Sequence, residues 1–159
     1  MADIDHRYML PPFLRIMEQV QGKNGDTVHL WDLRIAQPNV SHVEMRAIHS
    51  IEHLLTIEMR RLSNRVLNVG PMGCQTGFYI TTVALDNPDE MAELLSQALQ
   101  AILDAEKVPL ANVGTCGWAA NHSLSEAKSV ASWLLSKRSE WGTASSNSTE
   151  DQVSVGDDD

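Results

Sequence analysis

The residues best suited to chemistry are two histidines and a glutamate in the run His49-Ser50-Ile51-Glu52-His53. On a helix, residues four apart share a face, so His49 and His53 can present two imidazoles to one metal ion. Glu52 lies near that face and can reach a bound substrate or water without being a ligand itself. A helix with two unrelated surface histidines would carry the same five residues, so the pattern needs a further donor. Cys116 is one, in Asn112-Val113-Gly114-Thr115-Cys116-Gly117, just ahead of Asn121-His122-Ser123. A thiolate is a good third ligand for zinc or ferrous iron. His122 is a candidate fourth, read here instead as a supporting or capping residue, because a catalytic metal keeps one position open. The other cysteine, Cys74, lies in Gly70-Pro71-Met72-Gly73-Cys74-Gln75-Thr76-Gly77. Backbone N–H groups exposed in such a turn lower a thiol's pKa toward that of a useful base or nucleophile. The commoner fate of a lone cysteine is burial as a small hydrophobe.

These residues must be positioned by the elements around them. Phe13 to Val20 and Thr27 to Ile35 read as strands, joined through Lys23-Asn24-Gly25-Asp26. Asn-Gly between two such runs is a strong hairpin signal. Ser41 with Glu44 has the form of a capping box, and Ile48, Ile51, Leu54, Leu55, Met59 and Leu62 follow at helical spacing. That helix carries the two histidines. Val66 to Val69 reads as a short strand, Gly70 to Gly73 as a turn, and Gly77 to Leu85 as a further strand rich in aromatic and β-branched residues. Asn87-Pro88 opens a second helix, expected to run to about Glu106, and Ser123 with Glu126 opens a third, to about Lys137. Strands interspersed with helices, begun by a hairpin, predict an α+β domain with helices on one face of a mostly antiparallel sheet.

Charge divides the chain. Lys and Arg number 12 against 21 Asp and Glu, for a net charge of −9. No Lys or Arg follows Arg138, while Glu140, Glu150, Asp151 and Asp157 to Asp159 do. A folded catalytic domain over 1–138 and an acidic, disordered tail over 139–159 are therefore expected. An acidic chain is a poor partner for nucleic acid or for an anionic membrane surface. No apolar run is long enough to span a bilayer, and the N-terminus has no signal-peptide pattern. A cytoplasmic protein with reduced thiols is the expectation.

Taken together, several stretches resemble the S-ribosylhomocysteine lyase (LuxS) family. They are Asp5-His6, Asp32-Leu33-Arg34, Gln37-Pro38-Asn39, Ile48 to Leu55, Pro71 to Tyr79 and Asn112 to Leu124, in the family's order and spacing. The resemblance spans about Asp5 to Lys137. It implies a metal-dependent lyase that cleaves the thioether of S-ribosylhomocysteine to homocysteine and 4,5-dihydroxy-2,3-pentanedione, the autoinducer-2 precursor. Two carbonyl migrations and a β-elimination would do this. It implies His49, His53 and Cys116 as metal ligands, and Glu52 and Cys74 as acid/base residues. His6 and Arg34 would line the substrate pocket. Arg60 would stand near the homocysteine end, contributed across a homodimer interface, and Asn68 matches an aspartate that would meet the substrate ammonium. One divalent metal per chain is implied, ferrous iron natively, with zinc able to replace it on purification.

The chain departs from that family at three places. A Ser-Phe pair usual before Asp-His has no counterpart, Asn68 keeps a hydrogen bond but loses the charge, and Trp118 stands where a smaller polar residue is usual. Two other readings compete. A metallopeptidase of the inverted-motif kind would use Glu52 as base, need a downstream carboxylate as third ligand, and have no use for Cys74. A non-catalytic metal-stabilised protein would close the fourth coordination position.

Overall fold

Asn24-Gly25 turns the first hairpin. Gly25 takes φ 89°, a conformation open to glycine, and Gly22 N–H closes the loop on the Asp26 carbonyl at 2.7 Å. The flanking strands β1 (Phe13–Gln21) and β2 (Thr27–Arg34) pair antiparallel, with a register shift between Ile16 and Glu18. The computed structural model describes residues 4–144. Strands β3 (Val66–Pro71) and β4 (Gly77–Val83) complete a four-stranded antiparallel sheet in the order β1-β2-β4-β3.

Alternation along the strands gives the sheet two different faces. Leu14, Trp31, Leu33, Phe78, Ile80 and Val69 point into one core with helices α1 (Met45–Leu62), α2 (Pro88–Asp104) and α3 (Leu124–Ser136). The fold is thus α+β, as expected. The register sets Val28, Leu30, Thr81 and Tyr79 on the opposite face, where Tyr79 is 37% exposed.

Capping explains two of the helix starts. Asn87 Oδ1 accepts from the N–H groups of Asp89 and Glu90, and Pro88 fills the first position, where no N–H is missed. Ser123 Oγ accepts from Glu126 N–H. The Ser41–Glu44 capping box does not form. Helix α1 begins only at Met45, and Glu44 stands at its N-cap without a side-chain bond. The preceding residues are held otherwise: Ser41 N–H bonds the Gln37 carbonyl, and Val43 N–H bonds that of Gln75. A tertiary tie to the β3–β4 connection displaces the local motif.

That connection also differs from expectation. Gly70 and Pro71 pair with Tyr79 and Phe78, so β3 continues through them and the reversal falls at Met72–Thr76. Pro71 is tolerated because β3 is an edge strand. Gln75 takes φ 60° at the reversal.

The folded domain runs past the boundary expected at 138. Trp141 is 2% exposed within the core, its carbonyl accepts from Leu14 N–H at 2.9 Å, and Arg138 lies over its ring. An acidic, polar sequence masks this one large apolar anchor. The rest of the expected tail, 145–159, lies outside the described residues. Trp141→Ala should cost about 3 kcal/mol or more, whereas deleting 145–159 should leave the melting temperature nearly unchanged. Thermal unfolding of the two variants side by side checks both.

Candidate metal centre and its surroundings

Helix α1 presents His49 and His53 one turn apart, with ring centroids 4.9 Å from each other. The connection between α2 and α3 crosses over them. Its carbonyls fix both rings: Asn121 O accepts from His49 Nδ1 at 3.0 Å, and Pro109 O accepts from His53 Nδ1 at 2.8 Å. A carbonyl can only accept, so each Nδ1 carries a proton, and in the neutral ring the lone pair is on Nε2. This is the orientation in which imidazole ligates a metal.

The same connection supplies Cys116. Its backbone is set by an Asx turn, in which Asn112 Oδ1 accepts from Gly114 N–H, and by Cys116 N–H on the Asn112 carbonyl at 2.9 Å. Cys116 Sγ comes to 3.4 Å from His49 Nε2. His122, set aside as a supporting residue, joins the group: its Nε2 lies 3.5 Å from Cys116 Sγ. Its Nδ1 is 3.2 Å from Ser50 Oγ. Ser50 gives its one proton to the Arg46 carbonyl at 2.7 Å, so toward His122 it accepts. Burial, then the neighbouring His49 and His53, hold the His122 pKa below its ordinary value.

The donor atoms of His49, His53, Cys116 and His122 all lie within 4.8 Å of one another. Bonds of about 2.3 Å to sulfur and 2.0 Å to nitrogen put tetrahedral S···N edges at roughly 3.5 Å. Both S···N distances, 3.4 and 3.5 Å, match that edge. The residues therefore fit a divalent metal of borderline softness. No carboxylate joins the group among the described residues.

Glu52 and His53 line a small cleft of about 190 Å³ with Thr56, Ile57, Leu110 and Thr115. Arg60 is exposed one turn beyond Thr56. Thr56 Oγ1 donates to the carbonyl of Val69, the residue after Asn68, which is exposed on β3. Trp118 is 64% exposed.

Cys74 stands elsewhere. It lines a second, larger cleft of about 580 Å³ with His6, Pro38, Ser41, His42 and Thr76. The two clefts have no lining residue in common. Arg34, expected at a pocket wall, is 3% exposed and bonded to Asp32 and Thr76. One chain thus brings together His49, His53, Cys116, His122 and Glu52, and separately His6 and Cys74, with Arg34 behind them.

No helix among the described residues is long and apolar enough to cross a membrane. Residues 2–145 match the S-ribosylhomocysteinase (LuxS) family. S-ribosylhomocysteine lyases of Staphylococcus aureus strains JH9, Newman and N315 are each 42% identical to the chain over 139 residues, covering 87% of it and 89% of the relative. With the family matched along nearly the whole chain and a His-His-Cys group assembled on α1 and the loop above it, the chain belongs to the S-ribosylhomocysteinase (LuxS) family.

Proposed function

We propose that the protein is a metal-dependent S-ribosylhomocysteine lyase releasing homocysteine and 4,5-dihydroxy-2,3-pentanedione. The observation that carries this reading is the His49–His53–Cys116 group with Glu52 in the adjoining cleft. It also counts against a peptidase, since the third donor is a thiol and not a carboxylate.

The chemistry sets the demands. Sulfur on the fifth ribose carbon leaves only when a carbanion forms beside it. The carbonyl must therefore move from the first carbon to the second and then the third, which acidifies the proton on the fourth. Loss of that proton expels homocysteine thiolate. A divalent ion held by His49, His53 and Cys116 supplies Lewis acidity for the negative charge that develops on the sugar oxygens. Cys74 and Glu52 take and return protons at the migrating carbons. Each works best with a pKa near the operating pH. His6 contacts the sugar from the Cys74 cleft, and Arg34 acts from behind it. Arg60 and Asn68 receive the amino-acid end of the substrate. Ferrous iron is the proposed native metal, one per chain, and zinc can replace it.

The division of these groups supports a homodimer. Cys74 and Glu52 must act on one substrate, yet they line different clefts of the chain. A two-fold partner lets the Cys74 cleft of one copy meet the metal group of the other. The half-exposed face of the sheet, with Leu30, Thr81 and Tyr79, offers apolar area for such a contact. On this reading Arg60 serves the metal group of its own chain, and the Cys74 cleft is what crosses the interface. Both cysteines are free, which suits a reducing cytoplasm.

The direct test offers S-ribosylhomocysteine to iron-loaded protein without oxygen and follows thiol release. Stoichiometric homocysteine is the expected result. A metal-loaded protein that releases no thiol would overturn the reading.

A further inference from the structure

We propose that Thr76 is a positioning residue whose hydroxyl couples the buried Arg34 charge to the Cys74 sulfur, through the hydrogen-bonded chain Asp32–Arg34–Thr76–Cys74. Arg34 is fixed first. Its Nε and Nη2 donate to the two oxygens of Asp32 at 3.2 and 3.0 Å, and its Nη1 donates to Thr76 Oγ1 at 2.8 Å. A guanidinium has only donors, so the Thr76 oxygen accepts. The single hydroxyl proton is then free to point away. Cys74 Sγ lies 3.0 Å from Oγ1, and among the described residues the other acceptor within reach of that hydroxyl is Met72 Sδ at 3.8 Å. A thiolate is the stronger acceptor of the two. Asp32, Arg34 and Thr76 are at most 3% exposed, so water does not screen the bonds among them, while the Cys74 sulfur at the end is exposed to the cleft.

The backbone holds the hydroxyl in place. Ile35 and Ala36 N–H both bond the Thr76 carbonyl, at 2.8 and 3.0 Å. At Gly77 a Cβ would come within 2.1 Å of the Leu33 carbonyl, so a glycine there lets the turn lie against β2. Burial pushes the Cys74 thiol up, but the Thr76 hydroxyl and N–H and the Arg34 charge together bring it below its ordinary value. The other ionisable groups at the site are His6 and His42 in the cleft, and Arg15 of β1, which lies 3.5 Å from Asp32.

The inference deepens the proposed proton-transfer role of Cys74, and its test reads the thiol and not turnover. The pH dependence of iodoacetamide alkylation at Cys74, followed by peptide mass, is measured on the metal-loaded full chain. Thr76→Val keeps the shape and removes the hydroxyl. Its alkylation midpoint should rise by about one pH unit, with roughly tenfold slower modification at pH values below both midpoints. Thr76→Ser should return the midpoint to the wild-type value. If the valine variant does not fold, Thr76→Ala is measured in its place, with the same rise expected. A folded valine or alanine variant with the wild-type midpoint, or a folded serine variant that fails to restore it, would overturn the relay. Absence of lyase activity in the wild type would overturn the proposed function and leave this measurement standing.

Discussion

Cys116→Ala should lose bound metal and turnover together, while Cys74→Ala should lose turnover and keep about one metal per chain. The difference follows from where the two sulfurs sit. Cys116 Sγ is grouped with the donor atoms of His49 and His53, at 3.4 Å from His49 Nε2. Removing it leaves imidazoles alone, which hold a divalent ion less tightly. Stability should fall as well, because metal bound only by the folded chain stabilises it by mass action. At free metal a hundred to a thousand times Kd, that is about 3–4 kcal/mol. Among the described residues Cys74 is outside the donor group, and it lines the other cleft. Its loss removes a proposed proton carrier, an effect of roughly 10²-fold or more on turnover. Glu52→Gln should resemble Cys74→Ala, since the amide keeps the shape and cannot carry the proton. Metal analysis, thermal unfolding and thiol release on the same samples distinguish these cases. Metal lost from Cys74→Ala but kept in Cys116→Ala would reverse the assignment.

Much of the scaffold was legible because its signals are local. Asn24-Gly25 needs only a two-residue conformation, and Asn87-Pro88 and Ser123 satisfy N–H groups within three residues. The Ser41 box failed for the opposite reason: Val43 is claimed by the Gln75 carbonyl across the fold. Helical spacing placed His49 and His53 on one face, because that face is a property of a single element. It could not reveal the carbonyls of Pro109 and Asn121 that set the tautomers, since backbone acceptors have no sequence signature. Nor could it show His122 turned inward. A histidine six residues from a candidate cysteine ligand is visible in the sequence, but its direction depends on Ser50, on another element. Arg34 was singled out by resemblance as a pocket residue. Asp32, two residues before it on the same strand face, was the available signal that it would be tied down instead.

A heterodimer of Cys74→Ala with Glu52→Gln should recover about half of the wild-type turnover, although each parent homodimer should retain roughly 1% or less. The clefts explain why. If a working site takes its metal group and Glu52 from one copy and Cys74 from the other, the two lesions in the heterodimer fall together. One site then receives Glu52 from the Cys74→Ala chain and Cys74 from the Glu52→Gln chain, and is intact. The second site carries both substitutions and is dead. If each chain completed its own site, every site in the heterodimer would hold one lesion and nothing would be recovered. Both residues are proposed proton carriers outside the metal's ligands, so the two chains should stay loaded and folded. Co-expression with two different tags and sequential affinity purification isolates the mixed species. Thiol release from S-ribosylhomocysteine then reads the outcome, and a heterodimer no more active than its parents would place Glu52 and Cys74 in the same chain's site, against the division seen between the two clefts.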